Sequence, residues 1–141
     1  MLKRSIKDKI YSELYSKGMT QEDRITKLTK MLKGCSFEKF LDIGCGDGSL
    51  TLFLAKLVKA KDIKAIEISE DGARKAREKG IECYTIDVDS EPLPFEDGTF
   101  DFVFCGEIIE HLFDPDHLLS EVYRVLKTKG TAIVTTPNLA A

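Results

Sequence analysis

A short apolar run, Phe40-Leu41-Asp42-Ile43, ends in Gly44-Cys45-Gly46-Asp47-Gly48, and a helical pattern begins at once at Ser49-Leu50. Three glycines spaced two apart at the end of an apolar run read as strand, tight loop and helix. Glycine lets the backbone take positive φ and lets a ligand approach the main chain without meeting a Cβ. The first amides of the following helix have no partner within that helix and face whatever the loop holds. A chain built around such a turn is committed to strand-helix alternation.

The flanking pattern supplies that alternation. The spacing predicts strands over 37–43, 63–68, 81–88, 100–105 and 131–136. Between them, Leu50, Phe53, Leu54, Leu57 and Val58 fall at helical intervals. Ser69 with Glu70 and Asp71 reads as a helix start and Gly80 as the residue beyond its end. Asp114-Pro115 opens a further helix whose apolar face is Leu118, Leu119, Val122 and Val125, with Gly130 as its stop. Before the first strand, residues 5–17 and the stretch from Thr20 through Ile25, Leu28, Met31 and Leu32 predict two amphipathic helices. The expected organisation is a helical extension over 1–35 and a core over 36–141. This is an α/β, doubly wound, Rossmann-like open parallel sheet in the order 3-2-1-4-5, with helices on both faces. Ligands of such sheets bind outside the carboxyl ends of the strands, where strand order reverses, and the glycine loop lies there.

Composition narrows the function classes. At 141 residues and 43% hydrophobic, the chain suits one globular domain, and no apolar run approaches the roughly 18 residues of a membrane span. Four scattered cysteines, with no Cys-x-x-Cys pair, point to reduced thiols in a cytoplasmic protein rather than zinc or disulfides. Residues 1–33 hold nine Lys/Arg against four Asp/Glu, whereas the remainder holds twelve against twenty. That acidic balance argues against nucleic acid as a partner through a broad phosphate-binding surface.

The loop itself discriminates among ligands. Ser49 stands where a dinucleotide fingerprint carries its third glycine, and no Gly-Lys-Ser/Thr of a P-loop is present. Asp42 and Asp47 in or beside the loop disfavour a diphosphate and suit a ligand with positive charge. Glu67 ends the second strand 23 residues after Gly44, near the offset of roughly 20 at which an acid meets ribose hydroxyls. Asp87 ends the third strand similarly, where a carboxylate accepts from an exocyclic amine. After the fourth strand, Glu107, Glu110 and His111 stand at i, i+3 and i+4, one face of a helical turn. They serve as a structural cap with solvated acids, as a site where His111 acts as general base, or as three ligands for a divalent ion.

With Leu41-Asp42-Ile43-Gly44-Cys45-Gly46-Asp47-Gly48, Glu67-Ile68-Ser69, Ile86-Asp87-Val88, Leu93-Pro94-Phe95-Glu96-Asp97-Gly98-Thr99-Phe100-Asp101 and Glu121-Val122-Tyr123-Arg124-Val125-Leu126-Lys127 in this order, the chain resembles the class I S-adenosylmethionine-dependent methyltransferases, over about residues 37–137. The resemblance implies that Asp42, Gly44, Cys45, Gly46 and Gly48 pass under the methionine part of S-adenosyl-L-methionine. It implies that Glu67 holds the ribose, that Ile68 and Val88 flank the adenine, and that Asp87 receives its amino group. The resemblance also implies that backbone near Cys105 and Gly106 meets the methionine ammonium. The Glu-x-x-Glu-His pattern resembles the quinone-precursor O-methyltransferases, which implies methyl transfer to an oxygen, or a nitrogen, of a small molecule, with His111 and Glu110 catalytic. It also resembles the small-RNA terminal 2′-O-methyltransferases, which likewise carry Thr-Pro-Asn after the fifth strand, as Thr136-Pro137-Asn138 does here, but use a further downstream histidine. The family fold adds a sixth and a seventh strand, which this sequence lacks. The fifth strand is then a hydrophobic edge, and the expectation is a homodimer through it, or a truncation. A cofactor-binding module without turnover of its own, working with a partner chain, is the other class of function.

Overall fold

The computed structural model describes residues 21–137; the helix expected over 5–17, the Thr20 cap and Asn138 lie outside the described residues. Helix α1, Gln21–Leu32, begins with Glu22 and Asp23 and ends with Lys30, which complements the helix dipole. Its buried side chains are Leu28 and Leu32. Strand β1, Lys39–Ile43, leads into the glycine loop and helix α2, Ser49–Leu57. Then come β2, Asp62–Ile66; α3, Glu70–Glu78; β3, Glu82–Tyr84; and β4, Phe100–Gly106. A single 3-10 turn, Ile109–His111, precedes α4, Pro115–Val125, and β5, Leu126–Thr135.

All strand pairings are parallel and the order is β3-β2-β1-β4-β5, the arrangement the alternation predicts. Successive residues of a strand face opposite sides of the sheet. Phe40, Phe102, Phe104 and Ile133 therefore meet Leu28, Leu32, Leu54 and Val58 from α1 and α2. Leu41, Ile43, Val103, Cys105 and Val134 meet Leu118, Val122 and Val125 from α4. The α3 layer is thin, with Ala73 and Ala76 against Ala65, Ile81, Cys45 and Cys83, and the two thiols lie 3.8 Å apart.

Several local features depart from the pattern. In α2 the buried positions are Thr51, Leu54 and Ala55, while Phe53 is 41% exposed, so the apolar face is rotated from the one expected. The third strand is three residues long rather than spanning 81–88. Asp87 ends no strand; it opens a turn, with its carbonyl accepting from the Ser90 and Glu91 amides. Aspartate favours that outcome, because its side chain satisfies the turn amides itself. Gly130 does not stop α4. The helix ends at Val125, and Leu126 pairs at once with Phe100, with a register shift before Phe102. Lys129 (φ 69°) and Gly130 form this irregularity, and a Cβ on Gly130 would sit 2.8 Å from the Leu126 side chain.

Candidate active site

The carboxyl ends of β1, β2 and β4 open into one cleft of about 410 Å³. One wall carries Gly44, Glu67, Ile68, Asp87 and Val88, and the facing wall carries Gly106, Glu107, Ile108 and His111.

The glycine loop is fixed from several directions. The amides of Gly44 and Cys45 donate to the Ile66 carbonyl at 2.7 and 3.1 Å, continuing the sheet into the loop. Gly44 has φ +81°, and a Cβ there would overlap the Ile108 side chain, so the position requires glycine on both counts. The Lys79 ammonium donates to the Asp47 carbonyl at 3.0 Å, and the Asp47 carboxylate accepts from the Ser49 amide at 2.9 Å. That last bond holds the Asp47 carboxyl below the usual carboxylate range.

Glu67 joins the loop to β2. Its Oε1 accepts from the Gly46 amide at 2.7 Å and its Oε2 from the Ser69 amide at 2.9 Å. A carboxylate offers about four acceptor sites, so two bonds leave capacity for a diol. Asp87 is likewise occupied locally, with Oδ1 accepting from the Asp89 amide at 3.0 Å and Oδ2 from the Ser90 hydroxyl at 3.1 Å. Between them, Ile68 is 61% exposed beside the buried Val88, a pair of apolar surfaces suited to a planar base.

Asp42, Cys45, Asp47 and Cys105 are not among the residues that line the cleft. Asp42 is only 2% exposed and its Oδ2 accepts from the Thr51 hydroxyl at 2.5 Å. Burial pushes its carboxyl up to about 7, against the opposing effect of the Thr51 bond. The Cys45 side chain is buried against Cys83, and burial raises its thiol. Cys105 lies in the core, where burial pushes its thiol up to about 12. Asp47 is exposed and borders a separate groove with Ile25, Ser49 and Phe53. The negative character of the cleft thus comes not from Asp42 and Asp47, but from Glu67 and Asp87, with no Lys or Arg among the described lining residues.

Glu107, Glu110 and His111 do not share a helical face. Glu107 takes φ 54°, because its amide donates to the Thr135 carbonyl at 2.8 Å and to the Thr135 hydroxyl at 3.2 Å. Its carboxylate turns to form an ion pair with Arg24 of α1. Glu110 is largely buried, with Oε1 out of reach of any hydrogen-bond donor among the described residues and Oε2 3.6 Å from His111 Nε2. The His111 side chain is 75% exposed at the cleft wall. Among the described residues, no three His, Cys, Asp or Glu side chains gather closely enough to hold a metal ion.

Sequence reasoning missed Arg24, Ile108, Asp89 and Thr135. Thr135 carried a usable signal, since it pairs with Gly106 at the same end of the sheet. Arg24 and Ile108 carried none, because their partners are distant in sequence.

A 3-2-1-4-5 parallel sheet with a glycine loop after its first strand and an acid after its second is common to dinucleotide-binding folds and to the family of class I S-adenosylmethionine-dependent methyltransferases. The chain belongs to that family, its residues 41–134 matching the methyltransferase domain. It is 36% identical over 101 residues to the chloroplastic 2-methyl-6-phytyl-1,4-hydroquinone methyltransferase of Arabidopsis thaliana, covering 70% of this chain and 30% of that protein. It is 35% identical over 105 residues to the ubiquinone biosynthesis O-methyltransferase of Methylococcus capsulatus, covering 71% of this chain and 44% of the relative. The chain therefore spans less than half the length of these relatives. The crystal structure of a SAM-dependent methyltransferase from Aquifex aeolicus superimposes with a TM-score of 0.59 at 29% identity, over 72% of this chain and 57% of that one. The cofactor of the family is S-adenosylmethionine, and the cleft fits it: carboxylates for a diol and an amine, apolar flanks for a base, and no Lys or Arg among the described lining residues to repel a sulfonium. Among the described residues, no helix is long and apolar enough to cross a membrane.

Proposed function

We propose that this chain binds S-adenosylmethionine in the cleft and directs its methyl group to an oxygen, or a nitrogen, of a small-molecule acceptor. The observation that supports this most is the joint presence of Glu67, Ile68 and Asp87 on one wall of a single cleft and His111 on the other. When bound, the cofactor supplies an electrophilic methyl group whose leaving group is a neutral thioether.

In this reading the protein's own task is placement and proton transfer. Glu67 accepts from the ribose hydroxyls and Asp87 from the adenine amine, while Ile68 and Val88 cover the faces of the base. Gly44 offers bare backbone to the cleft, while Gly46 and Gly48 let the loop turn. Cys45, Asp42 and Cys105 support that backbone from behind. His111 takes the proton of the acceptor hydroxyl, with the Glu110 carboxylate 3.6 Å from its Nε2. The name of the Methylococcus relative, an O-methyltransferase, supports oxygen as the acceptor atom.

Calorimetry with S-adenosylhomocysteine, followed by methyl-labelled cofactor and a panel of phenols, catechols and amines, tests the reading. S-Adenosylhomocysteine should bind, and His111→Ala should lower turnover by about 10²–10⁴-fold while leaving that binding within about threefold. Absence of S-adenosylhomocysteine binding overturns it. A second reading, a cofactor-binding module completed by a partner chain, is favoured by the 75% exposure of His111, since methyl transfer needs a site that excludes water. Binding without transfer to any member of the panel would select it.

A further inference from the structure

The loop that carries Asp87 and Val88 is tied to the segment that carries His111. Asp89 Oδ2 accepts from the Phe113 amide at 2.9 Å, and its Oδ1 accepts from the Asp114 amide at 2.8 Å. The Asp89 amide in turn donates to Asp87 Oδ1, so the carboxylate that spans the gap is oriented by the carboxylate beside the base site. A second tie runs the other way, with His117 Nε2 2.9 Å from the Glu91 carbonyl. Asp114 closes the set by accepting from the His117 amide through its own Oδ1 at 3.1 Å.

Ile108, Ile109 and Leu112 pack against the core on the N-terminal side of this junction, but the junction itself gains no such packing. Phe113 is 98% exposed, so its ring holds nothing in place between His111 and α4. Two bonds from backbone amides to one carboxylate are charge-assisted and geometrically restrictive, the kind of contact that fixes a segment.

We infer that Asp89 is a positioning residue that couples occupation of the cofactor site to the placement of His111. The inference rests on the reading of the cleft as an S-adenosylmethionine site. A base bound between Ile68 and Val88, with its amine on Asp87, orders the 87–91 turn. Asp89 passes that order to Phe113 and Asp114, two and three residues from His111. The acceptor side of the cleft then becomes fixed after the cofactor side is filled.

Hydrogen exchange on the full chain, with and without saturating S-adenosylhomocysteine, tests this. In the wild-type protein the ligand should slow exchange across residues 112–117 by about fivefold or more. In Asp89→Asn, whose amide nitrogen faces one of the two backbone donors, the ligand should still bind within about threefold, but slow that segment by less than about twofold. His117→Phe removes only the second tie and should lose part of the protection; it carries the test if Asp89→Asn is poorly folded. A merely structural role for Asp89 would alter exchange in both states and leave the ligand-dependent difference intact. Equal ligand-dependent protection in the wild type and both variants overturns the inference, as does its absence from a wild-type protein that binds the ligand. Failure of the wild type to bind S-adenosylhomocysteine would instead remove the cofactor reading itself.

Discussion

Glu67→Gln probes the centre of the site with almost no change in shape. In the wild-type protein both carboxylate oxygens accept from backbone, Gly46 at 2.7 Å and Ser69 at 2.9 Å. Glutamine keeps one oxygen and replaces the other with an amide donor, so one of those two N–H groups must face another donor. A hydrogen bond to a charged group contributes roughly 1.5–3 kcal/mol, and the partial exposure of Glu67 brings this to about 1–2 kcal/mol of stability. For a domain of this size that is a melting point lower by about 3–8 °C. Binding should suffer more than stability. The substituted oxygen can no longer accept from a ribose hydroxyl, and the Gly46 backbone loses the anchor that holds it toward the cleft. Losing one charged acceptor at about 1.5–3 kcal/mol predicts S-adenosylhomocysteine affinity lower by about 10–150-fold. Titration calorimetry and a thermal melt, run on the same preparation, separate the two effects. Affinity within about threefold of wild type, alongside the expected fall in melting point, would refute the role given to Glu67 in the cleft while leaving its role in the loop.

Asp42 should make stability depend on pH. Its carboxyl is raised from 3.8 to about 7 in the fold, so between these values the folded state holds a proton that the unfolded chain has lost. That stabilisation is complete below about pH 4 and is lost as pH rises through 7, a span worth roughly 4 kcal/mol. Denaturant titrations should show Asp42→Asn lacking this decline, and parallel curves would contradict it. Gly44→Ala combines a positive φ with an overlap on Ile108 and should cost about 2–4 kcal/mol. Adding Ile108→Ala should recover the steric part and not the backbone part, read by the midpoint of urea unfolding. Arg124 donates to the Leu93 and Phe95 carbonyls, Asp97 and Glu121, so Arg124→Ala should release the 93–98 loop at a cost of about 2–4 kcal/mol. Arg124→Lys should recover less than half of it, because an ammonium cannot span the same fork of acceptors.

Much of the fold was legible because it rests on local rules. The glycine turn, the Ser69 and Asp114 caps, and the apolar face of α4 each depend on residues within a few positions of one another. Strand order followed from alternation and handedness. What failed also failed for local reasons. Thr85 through Val88 alternates like a strand, yet Asp87 satisfies its own turn and ends the pairing three residues earlier. Glu107 to His111 has helical spacing, yet the first residue after β4 is drawn by Thr135 into positive φ, and only one 3-10 turn follows. Asp42 announced itself as an acid near a ligand, but its register on β1 turns it toward Thr51 of α2. Arg24 and Asp89 were not legible at all. Their meaning lies in Glu107 and in the amides of Phe113 and Asp114, partners that only the folded chain brings within reach.

The paired thiols under the glycine loop bear on how this protein can be handled. Burial raises both Cys45 and Cys83, and pushes Cys105 up to about 12, so none of the three presents a thiolate to an electrophile near neutral pH. Cys35, at the end of α1, is the one cysteine that is only half-buried. Alkylating reagents should therefore modify the folded chain at Cys35 first, installing a single fluorophore without mutating any cysteine. Reaction of the other three then becomes a clock for opening of the sheet, read from the intact mass as successive labels arrive.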